Sequence, residues 1–215
     1  MAVEVAELAL CTGTLVVESP EELLGAYLDP RNGYAWPAYD TLVTNGSVEL
    51  VTGDLLAPAL LEAYVDASRF RVLFDMLPLL SRVASLPPVA LQEADDDDVA
   101  SVAELFDVLD DPAYRRRGVR GTIVAKVLHR KRPDLVPIYD SRILAAYTAP
   151  GAIPAESGRT WVTFIDLLCR SMRADLQVEQ ARFAELEAFA ASRGATLTRL
   201  RILDILVWMT ISAWQ

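Results

Sequence analysis

The stretch from residue 198 to residue 213 constrains the fold more than any other part of the chain. Leu203, Ile205, Leu206, Val207, Trp208, Met209 and Ile211 leave a helix here apolar on nearly every side. Such a helix belongs at the centre of a packed core rather than on its surface. The remaining elements must then be arranged around it. Arg201 and Asp204 interrupt the apolar run, and two opposite charges three residues apart in a central helix read as a buried structural pair.

Helical spacing dominates the rest of the sequence. Ser19-Pro20-Glu21-Glu22 opens a helix, with a capping serine, proline in the first turn and acids against the dipole. That helix should end near Asp29-Pro30. Behind Asp54, the residues Leu55, Leu56, Ala59, Leu60, Ala63 and Tyr64 recur at helical spacing, and another helix runs from Phe70 to Ala84. The run Asp95 to Asp98 reads as a solvated helix start leading into Val99 to Leu109, in preference to a metal site. Further helices are expected at about 160–174 and about 177–192. Residues 1–18 fit strand or helix, with a break at Cys11-Thr12-Gly13. Tyr39 to Thr44 and Ser47 to Thr52 flank Asn45-Gly46, a hairpin signal, so the single sheet is placed at 39–52. The expectation is one mainly α, compact multi-helix domain over residues 1–215.

Composition narrows the function. Apolar residues make up 53% of the 215, which calls for a large core or an apolar surface shared with a second copy, as in a homodimer. Charges interrupt both apolar ends, so no membrane span is expected, and the basic start of a signal peptide is missing. Cys11 and Cys169 stand far apart without ligand spacing, which fits a reduced cytoplasm and no structural metal. His129 is the sole histidine, with no nucleophile near it in sequence. Histidine metal clusters are therefore excluded. No phosphate loop or dinucleotide fingerprint occurs, and no cofactor is expected.

A net charge of −10 argues against a protein that grips duplex DNA over its whole surface. The charge is nevertheless uneven. Glu93 to Asp111 carries nine acids and no base, whereas Arg115 to Arg132 carries eight Lys or Arg residues and no acid. Within that basic block, Gly118-Val119-Arg120-Gly121 reads as a tight turn launching an apolar helix with Ile123, Val124, Val127 and Leu128. A glycine turn at a helix start presents free N–H groups to an anion. A phosphate held by Gly118, Arg120, Gly121, Arg117, Arg130 and Lys131 is the candidate, with nucleic acid or a nucleotide as partner. Docking of the basic block onto the chain's own acidic stretch stands beside it.

The order Gly118-Val119-x-Gly121, helix, then Pro137-Ile138-x-Asp140 and a helix from Ser141 resembles the helix-hairpin-helix and Gly-Pro-Asp core of the DNA-glycosylase superfamily. The interval of 22 residues from Gly118 to Asp140 is similar to that of adenine-mismatch glycosylases. The resemblance covers residues 118–143. It implies a hairpin that binds backbone phosphates and a catalytic carboxylate, Asp140, that stabilises an oxocarbenium-like sugar or orients water. It also implies N-glycosidic-bond hydrolysis on DNA or on a smaller nucleoside or nucleotide, the acidic surface favouring the smaller substrate. The chain departs from the pattern in three places. Arg116-Arg117 stands where the family has Leu-Pro, Arg120 where its second glycine falls, and Thr122 at the lysine of bifunctional members, so no lyase step is implied. Lys126 lies one turn further along the same face.

Trp36, Tyr39, Asp40, Tyr139 and Lys126 are candidates for a base pocket, through stacking and edge hydrogen bonds. Core packing is the simpler role for each aromatic, an ion pair for Lys126, and helix capping for Asp140. A wider set of landmarks, from Tyr39-Asp40-Thr41 through Lys131-Arg132-Pro133 to Arg201-Ile202-Leu203-Asp204 and Trp208-Met209, resembles an uncharacterised actinobacterial family with no assigned activity. The alternative to an enzyme is a non-catalytic helical module that binds nucleic acid or protein.

Overall fold

The computed structural model describes residues 7–34, 36–42, 47–115, 118–149, 153 and 158–212, without the side chains of Trp36 and Arg115. A short antiparallel hairpin, β1 (Leu8–Leu10) and β2 (Leu15–Val17), precedes α1 (Pro20–Leu28) and α2 (Trp36–Asp40). A 3-10 helix at Thr52–Leu61 leads to α3 (Ala67–Leu80), α4 (Asp96–Glu104) and the single turn α5 (Pro112–Arg115). Then come α6 (Gly121–His129), α7 (Ser141–Tyr147), α8 (Trp161–Val178), α9 (Gln180–Ser192) and α10 (Arg199–Ser212). Among the described residues no helix is long and apolar enough to cross a membrane.

The central helix is where its composition puts it. From Leu200 to Val207 every residue of α10 is buried, and α10 packs against α1, α7, α8, α9 and β2. Most other elements also follow their sequence signals. Pro20 starts α1, although the Ser19 side chain makes no cap and only its carbonyl accepts, from Leu23 N. Asp95 Oδ1 accepts from Asp97 N and Asp98 N at 2.9 Å, while Asp98 Oδ2 accepts from Asp95 N at 3.1 Å. The aspartate run is thus a reciprocal helix cap, as expected of it.

The mainly α fold with one short hairpin holds, but the hairpin is not at 39–52. Tyr39 and Asp40 are helical in α2, 47–49 bend, and Thr52 opens the 3-10 helix; Asn45-Gly46 lies outside the described residues. Tertiary contacts outweigh the local turn signal, because the side chains of Tyr39 and Asp40 are tied to α6 and α10. The sheet forms instead around Cys11-Thr12-Gly13, where Cys11 and Thr12 have φ of 54° and 57°. Left-handed backbone at two side-chain-bearing residues costs energy. Asp175 on α8 offsets it, accepting from Cys11 N at 2.8 Å, Thr12 N at 3.0 Å and Tyr147 Oη at 2.7 Å.

Gly118, at φ 81°, turns the chain before α6. Gly121 has a different reason to be glycine. A Cβ there would overlap Cζ3 and Cη2 of Trp161, so the first turn of α6 lies directly under the indole. Gly121→Ala should therefore overpack this contact and destabilise the fold by ~1–3 kcal/mol. Urea denaturation followed by tryptophan fluorescence reads it, and unchanged stability would mean that Trp161 moves aside freely.

Candidate functional site

A cavity of about 470 Å³ opens where α6, α7 and α10 meet the end of the 3-10 helix and the loop after α1. Each wall follows from local sequence. Asp140 comes from the extended segment between Pro137 and α7, where its φ of −148° lets it cap that helix. Its Oδ1 accepts from Arg142 N at 2.9 Å and Ile143 N at 3.0 Å. Oδ2 carries no hydrogen bond among the described residues. Thr122 and Lys126 share one face of α6 at a spacing of four. Asp204, Ile205 and Trp208 follow Arg201 at helical spacing on α10, which brings charge and aromatic surface to the same place.

Tyr27 and Tyr34 complete the aromatic side. Their rings stack at 5.0 Å, Tyr34 meets Trp208 edge-on at 5.9 Å, and the Arg142 guanidinium lies 4.0 Å over Trp208. Glu62 forms part of the rim with φ of 59°, a left-handed conformation that ends the 3-10 helix. Strain of that kind is typical of working sites.

Lys126 is only 5% exposed, and its Nζ donates to the Leu61 carbonyl at 2.7 Å. Burial pushes the amine below the usual lysine range, against the pull of Asp140 and Asp204. Arg201 donates through Nε and Nη2 to Asp40, through Nη2 to Tyr27 Oη at 2.8 Å, and through Nη1 to Asp204 Oδ2. Burial opposes its charge, but Asp40, Tyr27 and Asp204 more than restore it. Asp204 is pushed up to about 7, first by burial and also by Asp140, with Arg201 and Lys126 pulling the other way. Burial drives His129 down to about 3, and its Nδ1–H donates to the Val136 carbonyl at 2.7 Å. It is neutral core, not a catalytic base.

Of the residues expected in the site, Lys126 from the base-pocket set and Asp140, the expected catalytic carboxylate, come together on the cavity wall. Arg130 and Lys131 do not reach an anion site, because their charges are used inside the fold. Arg130 donates to the Leu42 carbonyl and lies 5.5 Å over the Tyr39 ring, while Lys131 pairs with buried Asp54 at 2.8 Å. Gly118 is exposed and its carbonyl accepts from Arg69 Nε at 3.3 Å; Arg120 is exposed at the start of α6, and Gly121 is covered by Trp161. Arg117 lies outside the described residues, as does the side chain of Trp36.

The aromatic candidates stand behind the wall rather than on it. Tyr39 is fully buried and donates to the Lys126 carbonyl at 2.7 Å, Asp40 pairs with Arg201, and Tyr139 packs edge-on against Trp161 and Phe164. Among the described residues, ion pairs of the acidic stretch run to Arg82, Arg170 and Arg173, while Arg116, Arg117 and the side chain of Arg115 lie outside the described part of the basic block. Sequence reasoning missed Tyr27, Tyr34, Glu62, Arg142 and Trp208 as wall residues. Only Trp208 had a usable signal, sharing a helical face with Arg201 and Asp204.

Two outcomes follow from these charges. Lys131→Met removes the paired ammonium from a fully buried carboxylate that also accepts from Val51 N, so it should destabilise the fold by ~3–5 kcal/mol; a loss under 1 kcal/mol by chemical denaturation would mean that the pair contributes little. The second concerns Asp204. It keeps its proton to about 7 in the fold, whereas an unfolded aspartate releases it near 3.8. Between those values the folded state binds more protons, so this contribution to stability is full below the unfolded value and is lost as pH rises through the folded one. Asp204→Asn should flatten the fall in denaturation midpoint from about pH 4 to about pH 7, and an unchanged slope would show Asp204 ionised throughout.

No curated protein and no solved structure matches the chain. The model of a family described as a family of unknown function, DUF6308, matches residues 20–211. That span starts with α1 and runs to the penultimate residue of α10, taking in the whole cavity wall. The chain belongs to the DUF6308 family.

Proposed function

We propose that the protein hydrolyses an N-glycosidic bond in a free nucleoside or nucleotide, with Asp140 as the catalytic carboxylate. The observation that carries this reading is the placement of Asp140. One oxygen is fixed by two backbone N–H groups, and the residue forms the wall of a cavity that also bears Tyr34 and Trp208. A volume of about 470 Å³ suits a small molecule. The resemblance of residues 118–143 to the glycosylase core supports the same assignment, since turn, helix, extended segment and capped helix follow in that order.

The chemistry asks little of the protein beyond that carboxylate. As the base departs, positive charge builds on the sugar, and a fixed carboxylate in a water-poor cavity stabilises it as it develops. No histidine is needed. A small substrate is favoured over duplex DNA for two reasons. The net charge is −10, and Arg130 and Lys131, two of the bases that would neutralise phosphates, are bound inside the fold.

Asp140→Asn separates chemistry from structure, because asparagine still caps α7. Base release from a panel of nucleosides, nucleotides and modified DNAs should fall at least ~100-fold, with the thermal midpoint nearly unchanged. Equal rates in variant and wild type would reduce Asp140 to a cap. Release from no substrate would put the non-catalytic binding module in its place.

A further inference from the structure

The cavity wall holds a buried carboxylate, Asp204, that the reading above leaves idle. Arg201 stands between Asp40 and Asp204, its guanidinium 5.7 Å from the Tyr27 ring centre and 5.6 Å from that of Tyr39. Asp40 takes the larger share of it, with Nε at 3.1 and 3.4 Å from its two oxygens and Nη2 at 3.3 Å. Asp204 takes Nη1 alone, on Oδ2. One guanidinium cannot neutralise two buried carboxylates, so the less engaged of them is the one that keeps a proton. Asp204 is that group, and among the described residues its Oδ1 carries no hydrogen bond and stands ready for a ligand.

We propose that Asp204 is the proton donor of this site, giving its carboxyl proton to a ring nitrogen of a nucleobase lodged beside Tyr34 and Trp208. The assignment rests on the glycosidic reading for its chemistry, and it completes it. The C1′–N bond breaks with its electron pair going to the base, and the proton from Asp204 neutralises that nitrogen. Water adds to C1′ and loses a proton to the Asp140 carboxylate, and Asp140 releases that proton to solvent while Asp204 takes one up before the next turnover. Nucleoside and water become base and sugar, with no other reactant.

The groups facing Asp204 fit this division. Arg201 on its own helix and Lys126 from α6 favour its charged form, whereas Asp140 before α7 disfavours it. Tyr27 from α1 and Asp40 from α2 occupy the rest of Arg201, and Arg142 and Glu62 complete the charged wall. Among the described residues α8, α9 and β2, which also pack on α10, bring no side chain to the cavity. Burial decides the balance, pushing Asp204 up to about 7. Asp140 and Asp204 on one cavity, with Asp204 keeping its proton up to about pH 7, is the arrangement that separates acid from stabiliser.

Binding and turnover test it separately. Calorimetric affinity for free adenine and free cytosine is measured from pH 5.5 to 8.5. A protonated donor predicts affinity for at least one base that falls ~10-fold per unit above about 7, and that is flat and weak in Asp204→Asn. The wild-type profile needs no variant to fold. Affinity independent of pH, or no binding of either base, would overturn the proposal. Hydrolysis of adenosine and cytidine is then compared with that of 4-nitrophenyl riboside, whose leaving group needs no proton. Asp204→Asn should slow the nucleosides at least ~100-fold and spare the nitrophenyl riboside, whereas Asp140→Asn should slow all three. If Asp204→Asn slows nothing, the donor role is lost and the Asp140 reading stands. If pH-dependent binding appears without any hydrolysis, Asp204 remains the donor to the ligand and the glycosidic reading fails.

Discussion

The Arg201 guanidinium, held between two carboxylates and two tyrosine rings, fixes the position of most of what surrounds the cavity. A buried cation without partners would cost several kcal/mol, so it must gather them from wherever the chain can bring them. It draws Tyr27 from α1, Asp40 from α2 and Asp204 from its own helix. Once Asp40 is placed, its neighbour Tyr39 is placed as well, and Tyr39 in turn holds the Lys126 carbonyl of α6. The excess of carboxylate over guanidinium is then expressed at the cavity, on Asp204. Packing and charge at this site have one cause.

The basic block shows charge serving as scaffold. Arg130, Lys131 and Arg132 donate to the carbonyls of Leu42, Ser47, Ala84 and Leu86, all of which lie outside the α-helices and the sheet. Carbonyls partly withdrawn from water need donors, and long basic side chains supply them across the gaps between elements. A run of like charge in the sequence thus becomes a set of separate struts.

Helices were legible in the sequence because apolar spacing and caps act within a few residues. The all-apolar helix at the centre, the aspartate cap of α4 and the cap at Asp140 all belong to that class. The hairpin was not legible at its true place. Cys11 and Thr12 adopt a turn that neither favours, and the group that stabilises it, Asp175, lies more than 160 residues away. The cavity was half legible. Asp140 and Lys126 were found through a motif and a helical face. Tyr34 and Glu62 come from loops whose course is set by tertiary contacts, so no local pattern announces them. Tyr39 and Asp40 were sought on the wall and stand one layer behind it, supporting it.

The Asp175 latch ties together two parts of the chain with different standing in the family. The hairpin precedes residue 20, where the family match begins, yet the carboxylate that holds it lies within the match. Without the two hairpin amides, Asp175 would be a buried acid facing only the Tyr147 hydroxyl. The dependence runs both ways: the left-handed turn at Cys11 and Thr12 is held by a carboxylate more than 160 residues away, and that carboxylate is satisfied by the turn, so neither end of the chain can be altered here without unsettling the other.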